Sequence, residues 1–243
     1  MSQNIYDNQD FYNAYANLPR SQFGLSAAPE WPAIQLMLPA LTGRQVVDLG
    51  CGYGWFCRSA RTAGAVQVTG YDLSEKMLVR ARELTDDTEI SYLCRDLAQL
   101  TLPSQSCDLV YSQLALHYLP ELTPLFNEIH QALRTSGHFV FSMEHPIYTC
   151  SAHPGWLTDE AGRRSWGVSN YQNEGSRVTN WLSDGVIKYH RTLATVLNGL
   201  ISAGFAIRQI NEWGPSEEQI QENPALAEEA ERPMMVLISA QRC

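Results

Sequence analysis

The sequence predicts a single α/β domain, a doubly wound and mostly parallel sheet of seven strands with helices on both faces and one inserted lid. Three observations carry that expectation. Short apolar segments alternate with amphipathic ones along most of the chain, a glycine-rich turn follows the first apolar segment, and one long stretch at 145–184 breaks the rhythm.

After a polar and aromatic N-terminus, residues 31–41 place Ile34, Leu36, Met37, Leu38 and Leu41 at a spacing that suits a short helix entered through Pro32. Strands are expected at 45–49, 66–71, 90–94, 108–112, 138–143, 205–211 and 234–240, and helices at 55–63, 75–84, 122–133 and 193–203. Short apolar strands separated by helices imply a parallel sheet covered on both faces. Residues 145–184 are rich in Gly, Ser, Asn, Trp and Tyr without a sustained period, and a segment of that kind inside a compact domain reads as a lid or substrate insertion. A further strand at 186–190 ends it, and a polar acidic stretch precedes the last strand. Residues 1–41 form an N-terminal segment ahead of the sheet, and no internal repeat divides the 243 residues.

Composition narrows the partners. A formal charge of −9 works against nucleic acid, since phosphate binding needs concentrated Lys and Arg and the nearest approach to a basic patch is Arg163-Arg164. The six cysteines are scattered without a C-x-x-C pair, so no zinc site or redox motif is expected and reduced thiols fit the cytoplasm. No secretory signal opens the chain, and no apolar run approaches the ~18 residues a membrane span requires. The expectation from composition is a cytoplasmic protein with neither metal, nucleic acid nor membrane; composition is silent on oligomeric state.

The most informative residues are Asp48-Leu49-Gly50-Cys51-Gly52-Tyr53-Gly54, which follow the first strand and open a helix. Glycine suits a sharp turn whose backbone approaches a ligand closely. A dinucleotide fingerprint would place its third glycine at position 55, which is Trp55, and the carboxylate of Asp48 suits a cationic ligand better than a pyrophosphate. Both points disfavour a nicotinamide cofactor.

This run resembles motif I of the class I S-adenosylmethionine-dependent methyltransferases of the bacterial small-molecule type, written D/E-x-G-x-G-x-G. Further matches follow in order: Tyr71-Asp72-Leu73-Ser74 at the end of the second strand, Arg95-Asp96-Leu97 after the third, and the stretch from Cys107 through Ser112 to Tyr118 around the fourth. The resemblance implies a Rossmann-like sheet on which Gly50, Cys51, Gly52 and Gly54 wrap the cofactor. It implies that Asp72 accepts from the ribose hydroxyls, that Leu73 and Met77 pack on the adenine, that Asp96 beside Leu97 takes the adenine amino group, and that Ser112 lies beneath the methionine arm. By the same resemblance Tyr15 covers the cofactor and Arg20 pairs with its carboxylate. The reaction implied moves a methyl group from S-adenosylmethionine to a small-molecule acceptor and leaves S-adenosylhomocysteine, with no metal.

Methyl transfer is an in-line displacement, so holding the partners in line accounts for much of the rate. Where the acceptor carries a proton, a base within hydrogen-bond reach removes it. Glu144, His145 and Tyr148 leave the carboxyl end of the fifth strand, where ligands sit in open α/β sheets, and His117 follows the fourth, so these four are the catalytic candidates. Trp156, Trp166, Tyr171 and Trp181 either wall off the acceptor or anchor the insertion. Two other readings stay open on sequence alone: a non-catalytic S-adenosylmethionine-binding sensor or partner protein, and a nicotinamide-dependent oxidoreductase.

Overall fold

A computed structural model of the chain describes residues 2–243. Its eleven strands are β1 (Gln45–Leu49), β2 (Gln67–Asp72), β3 (Ile90–Cys94), β4 (Cys107–Gln113), β5 (Leu133–Glu144), β6 (Trp156–Thr158), β7 (Arg164–Trp166), β8 (Gly175–Trp181), β9 (Ser183–His190), β10 (Phe205–Glu212) and β11 (Met235–Arg242). Seven of them form one sheet in the order β10-β11-β5-β4-β1-β2-β3. Pairings are parallel from β3 across to β5, and β11 runs antiparallel between β5 and β10. The chain winds outward from β1 to β3 and then returns to lay β4 against β1. That reversal opens a crevice above the carboxyl ends of β1 and β4.

Alternation along the strands builds a core on each face. Val47, Leu49, Val110, Phe139, Phe141 and Ile238 face α6 (Thr123–Ala132) and α8 (Leu193–Ser202), with Phe126, Ile129, Val196 and Leu200 packed on them. Val46, Val68, Leu109, Val140 and Leu237 face the other way, toward α3 (Trp31–Met37), α4 (Trp55–Thr62) and α5 (Glu75–Glu83). Each such fully buried side chain stabilises the fold by about 1.5–3 kcal/mol. The helix begun at Trp31 stops at Met37, short of the expected residue 41, because Leu38 precedes Pro39 and takes an extended conformation.

Residues 145–184 are more regular than their sequence suggests. They hold the short α7 (Pro146–Thr149), the hairpin β6–β7 and, running on to His190, the hairpin β8–β9. Neither hairpin joins the main sheet, and β6, β7 and β8 have no fully buried side chain, so no apolar alternation marked them in the sequence. The acidic stretch forms α9 (Glu217–Glu222), started by a Ser216/Gln219 capping box, and α10 (Ala227–Glu231). At the other end of the chain come α1 (Gln9–Ala16) and α2 (Pro19–Phe23), and Ile5 and Phe11 pack with Val186 of β9, Tyr6, Tyr15 and Trp181, which ties this segment to the β8–β9 hairpin. No helix among the described residues is long and apolar enough to cross a membrane.

Candidate active site

The glycine turn after β1 is pinned by its backbone. Gly50 and Cys51 both donate their N–H to the Tyr71 carbonyl, at 2.8 and 3.0 Å, and the N–H of Gly52 donates to Asp72 Oδ2 at 2.8 Å. Gly50, Gly52 and Gly54 all have positive φ, which side chains disfavour. Their surroundings differ. A Cβ on Gly52 would meet only the tip of Met77, whereas one on Gly54 would fall 2.1 Å from the Tyr92 hydroxyl oxygen. Gly54 therefore serves the packing of α4 on β3 and lies off the cavity that the turn borders.

That cavity, of about 280 Å³, extends across the carboxyl ends of β1, β2, β4 and β5. Asp48, Gly50, Cys51, Gly52, Asp72, Leu73, Met77, Asp96, Leu97, Tyr15 and Arg20 all line it, as do His117, Glu144 and Tyr148. Three of the sequence candidates do not. Gly54 packs as described, Ser112 is fully buried and donates to the Leu49 carbonyl at 2.8 Å, and His145 is turned away. The imidazole of His145 accepts the Ile147 N–H on Nδ1 at 3.0 Å and lies 2.7 Å from Glu212 through Nε2, so it caps α7 and ties β5 to β10.

At one end of the cavity, Asp72 Oδ1 accepts the Ser74 N–H at 2.9 Å while Ser74 caps α5 through the Met77 N–H. Burial raises the Asp72 carboxyl to about 6 against these stabilising bonds. The N-terminal residues close over this end. Ser2 donates to Asp96 from both N and Oγ, at 3.0 and 2.8 Å; these bonds and the Ala98 N–H outweigh burial and hold Asp96 below the usual carboxylate range. Gln3 bonds the β9 backbone at Gly185 O and Ile187 N, which joins the segment to the hairpin.

At the cavity wall Arg20 belongs to a polar cluster whose other members, Glu30 and Gln113, sequence reasoning did not single out. Arg20 reaches the fully buried Glu30 at 2.9 Å, and Gln113 donates to the same carboxylate at 2.8 Å. Nearby, the Tyr111 hydroxyl and Trp55 Nε1 are buried without a hydrogen-bond partner, and both residues line the cavity. Burial raises Asp48 to about 7, offset in part by the thiol of Cys57, 3.3 Å away.

The far end holds Glu144. Its Oε1 receives Lys188 Nζ, its backbone N–H donates to His117 Nδ1 at 3.4 Å, and its Oε2 is buried without a partner. Burial lowers His117 to about 4, so it is neutral near pH 7. Lys188 was not among the candidates, yet it occupies the inward register of β9 with Val186 and His190, and a lysine in a buried register was the available signal. Of the four insertion aromatics only Trp181 lines the cavity. Trp156 packs edge-on against Trp166, which donates to the Ile147 carbonyl, and Tyr171 packs against His190, so these three anchor the insertion.

A family profile described as a methyltransferase domain matches residues 47–141, from β1 into β5. Over a longer span, a solved structure of an S-adenosylmethionine-dependent methyltransferase from Mesorhizobium loti is 55% identical, with a TM-score of 0.88 covering 90% of this chain and all of that one. The chain belongs to the S-adenosylmethionine-dependent methyltransferases. A Listeria monocytogenes structure ascribed to the same class is 38% identical, with a TM-score of 0.81 over 89% of this methyltransferase and 99% of the other chain. The malonyl-[acyl-carrier protein] O-methyltransferase of Pectobacterium atrosepticum is 38% identical, but the match spans 44% of this methyltransferase and only 41% of that enzyme. Neither the oxidoreductase nor the non-catalytic reading is favoured by these relatives.

The cavity suits the methyltransferase's cofactor. Its glycine turn leaves the backbone bare, and a carboxylate fixed by two backbone N–H groups retains lone pairs for a diol. Two buried donors without partners, the Tyr111 hydroxyl and Trp55 Nε1, belong to residues of the cavity wall, and a carboxylate is a ligand group that would satisfy them.

Proposed function

We propose that the enzyme methylates a small molecule held within this cavity, with the cofactor along the ends of β1 to β3 and the acceptor beside the end of β5. The observation that carries the reading is a single cavity joining Asp72 and Asp96 to Glu144 and Tyr148, roofed by the N-terminal segment and Trp181. In this reading Asp72 takes the ribose hydroxyls, Leu73 and Met77 sandwich the adenine, and Asp96 exchanges Ser2 for the adenine amino group. Asp48 faces the cationic end of the amino acid, and Arg20 with the Tyr111 hydroxyl and Trp55 Nε1 faces its carboxylate. The cofactor, when bound, supplies a methyl group on a sulfonium leaving group. The chain's share of the work is to align the acceptor and exclude water.

S-adenosylhomocysteine at roughly 100 times its dissociation constant should stabilise the protein by about 2.7 kcal/mol, a rise in Tm on the order of 5–10 °C for a chain of this size, and NADH should not. Label from methyl-tritiated S-adenosylmethionine, incubated with the enzyme and a cell extract, should appear in a low-mass product that separates from S-adenosylmethionine and is absent when the enzyme is left out. Label confined to protein or nucleic acid would overturn the small-molecule reading.

The two raised carboxyls set a pH dependence. Hydroxyl donors and a positive amine both prefer ionised Asp72 and Asp48, whose folded values lie at about 6 and about 7. Affinity for S-adenosylhomocysteine should therefore rise between about pH 5.5 and 8, with protons released on binding in the lower half of that range. The free protein carries the opposite sign. Its carboxyls hold protons more tightly folded than unfolded, so their contribution to stability is lost as pH rises through 6 and 7. Calorimetry in buffers of differing ionisation enthalpy reads the proton release directly.

A further inference from the structure

The acceptor end of the cavity is built around one carboxylate oxygen. Glu144 is the last residue of β5 and lines the cavity; Lys188 of β9 holds its Oε1, and its Oε2 is buried without a partner. The other groups facing Glu144 are His117 and Tyr118 from the turn after β4 and Tyr148 from α7. None of these is placed to take a proton. His117 uses Nδ1 to accept the Glu144 N–H, which puts its own proton on Nε2, 4.0 Å from Glu144 Oε1. The two tyrosines are buried phenols that burial keeps protonated.

Charge in the cavity points the same way. Among the described residues, the only lysine or arginine lining it is Arg20, already paired with Glu30, whereas Asp48, Asp72, Asp96 and Glu144 all line it. Lys188 lies behind Glu144, over the Trp181 ring at 4.9 Å, and does not reach the cavity. An acceptor bearing a carboxylate or phosphate at this end would meet Glu144 without a counter-charge. One presenting O–H or N–H would meet a waiting acceptor atom.

Resting on the methyltransferase reading above, we propose that Glu144 is the base for a hydroxyl or amine nucleophile, that Lys188 is its positioning residue, and that the enzyme selects uncharged or cationic acceptors over carboxylates and phosphates. The nucleophile's lone pair forms the bond to the methyl carbon while the carbon–sulfur bond breaks, its electron pair staying on sulfur. The nucleophile's proton passes to Glu144 Oε2 and from there to water. A malonyl group, the acceptor in the partial relative's name, carries a carboxylate and falls outside this class.

The test uses the full chain saturated with S-adenosylhomocysteine and four aromatic probes that differ in headgroup: phenol, benzylamine, benzoate and phenyl phosphate. Phenol and benzylamine should raise Tm further, and benzoate and phenyl phosphate should not. Glu144→Gln should bind benzylamine at least tenfold more weakly and lose its discrimination against benzoate, while its affinity for S-adenosylhomocysteine stays within about twofold. For Lys188, Lys188→Met, which frees the carboxylate that the ammonium holds, should bind phenol at least fivefold more weakly than wild type does. Lys188→Arg, which keeps the charge, should restore that binding. Both lysine variants can be checked for fold by their response to S-adenosylhomocysteine. If S-adenosylhomocysteine itself fails to stabilise wild type, the methyltransferase placement of the cofactor fails. If it stabilises but benzoate binds as well as benzylamine, or neither phenol nor benzylamine binds, the acceptor assignment is overturned. Phenol binding unchanged in Lys188→Met, or not restored in Lys188→Arg, removes the positioning role.

Discussion

Asp72→Ala is expected to weaken S-adenosylhomocysteine binding by about two orders of magnitude or more, with Glu144→Ala within a few fold of wild type. In the proposed site the ribose diol gives two hydrogen bonds to an ionised Asp72. Bonds to charged groups are each worth about 1.5–3 kcal/mol, and each 1.4 kcal/mol is about tenfold in affinity. The side chain also fixes its surroundings, because it accepts the Gly52 and Ser74 N–H groups. Removing it frees the glycine turn and the start of α5 together. Titration calorimetry at about pH 8, where the carboxyl with a value near 6 is ionised, gives the comparison its full size. Equal losses in the two variants would mean that the cofactor does not lie along the end of β2.

The sheet was legible because its signals are local. Each strand from β1 to β4 is a short apolar run bounded by turn residues, and the helices between them carry apolar side chains three and four positions apart, as at Leu78 and Ala81. The glycine turn and the carboxylates that end β2 and follow β3 were legible for a related reason. Cofactor-facing groups in a parallel sheet sit at strand ends, so a carboxylate found there has few structural tasks to explain it.

What the sequence hid depends on partners far along the chain. Glu30 precedes a proline-started helix with no motif around it, and only folding brings it to Arg20 and Gln113. Glu144 and His145 are adjacent, so a pattern treats them alike, yet alternation along an extended chain sends one toward the cavity and the other toward Glu212 of β10. Ser112 is misread for the same reason: its hydroxyl is spent on the Leu49 carbonyl of the neighbouring strand. The hairpins of residues 145–184 escaped notice because β8 alternates between half-buried and exposed positions, which leaves periodicity without amplitude.

Gly50→Ala should both destabilise the protein and impair cofactor binding, and a second glycine separates its two causes. Gly50 and Gly43 have nearly the same φ, +75° and +74°, but a Cβ on Gly50 would lie 2.4 Å from the Cβ of Ala115, while one on Gly43 would meet nothing within 4 Å. Gly43→Ala therefore registers only the left-handed conformation, about 1–2 kcal/mol. Gly50→Ala adds a clash of the overpacking kind, typically about 1–3 kcal/mol. The clash cannot relax freely, because Ala115 follows Leu114, itself at positive φ, and leads directly to His117 at the acceptor end. Urea unfolding should place Gly50→Ala about 2–5 kcal/mol below wild type. Removing the opposing methyl in a Gly50→Ala, Ala115→Gly pair should recover part of the loss, giving a coupling energy that independent sites lack. Simple additivity of the two substitutions would mean that the turn after β4 yields easily and that position 50 needs glycine for its backbone angle alone.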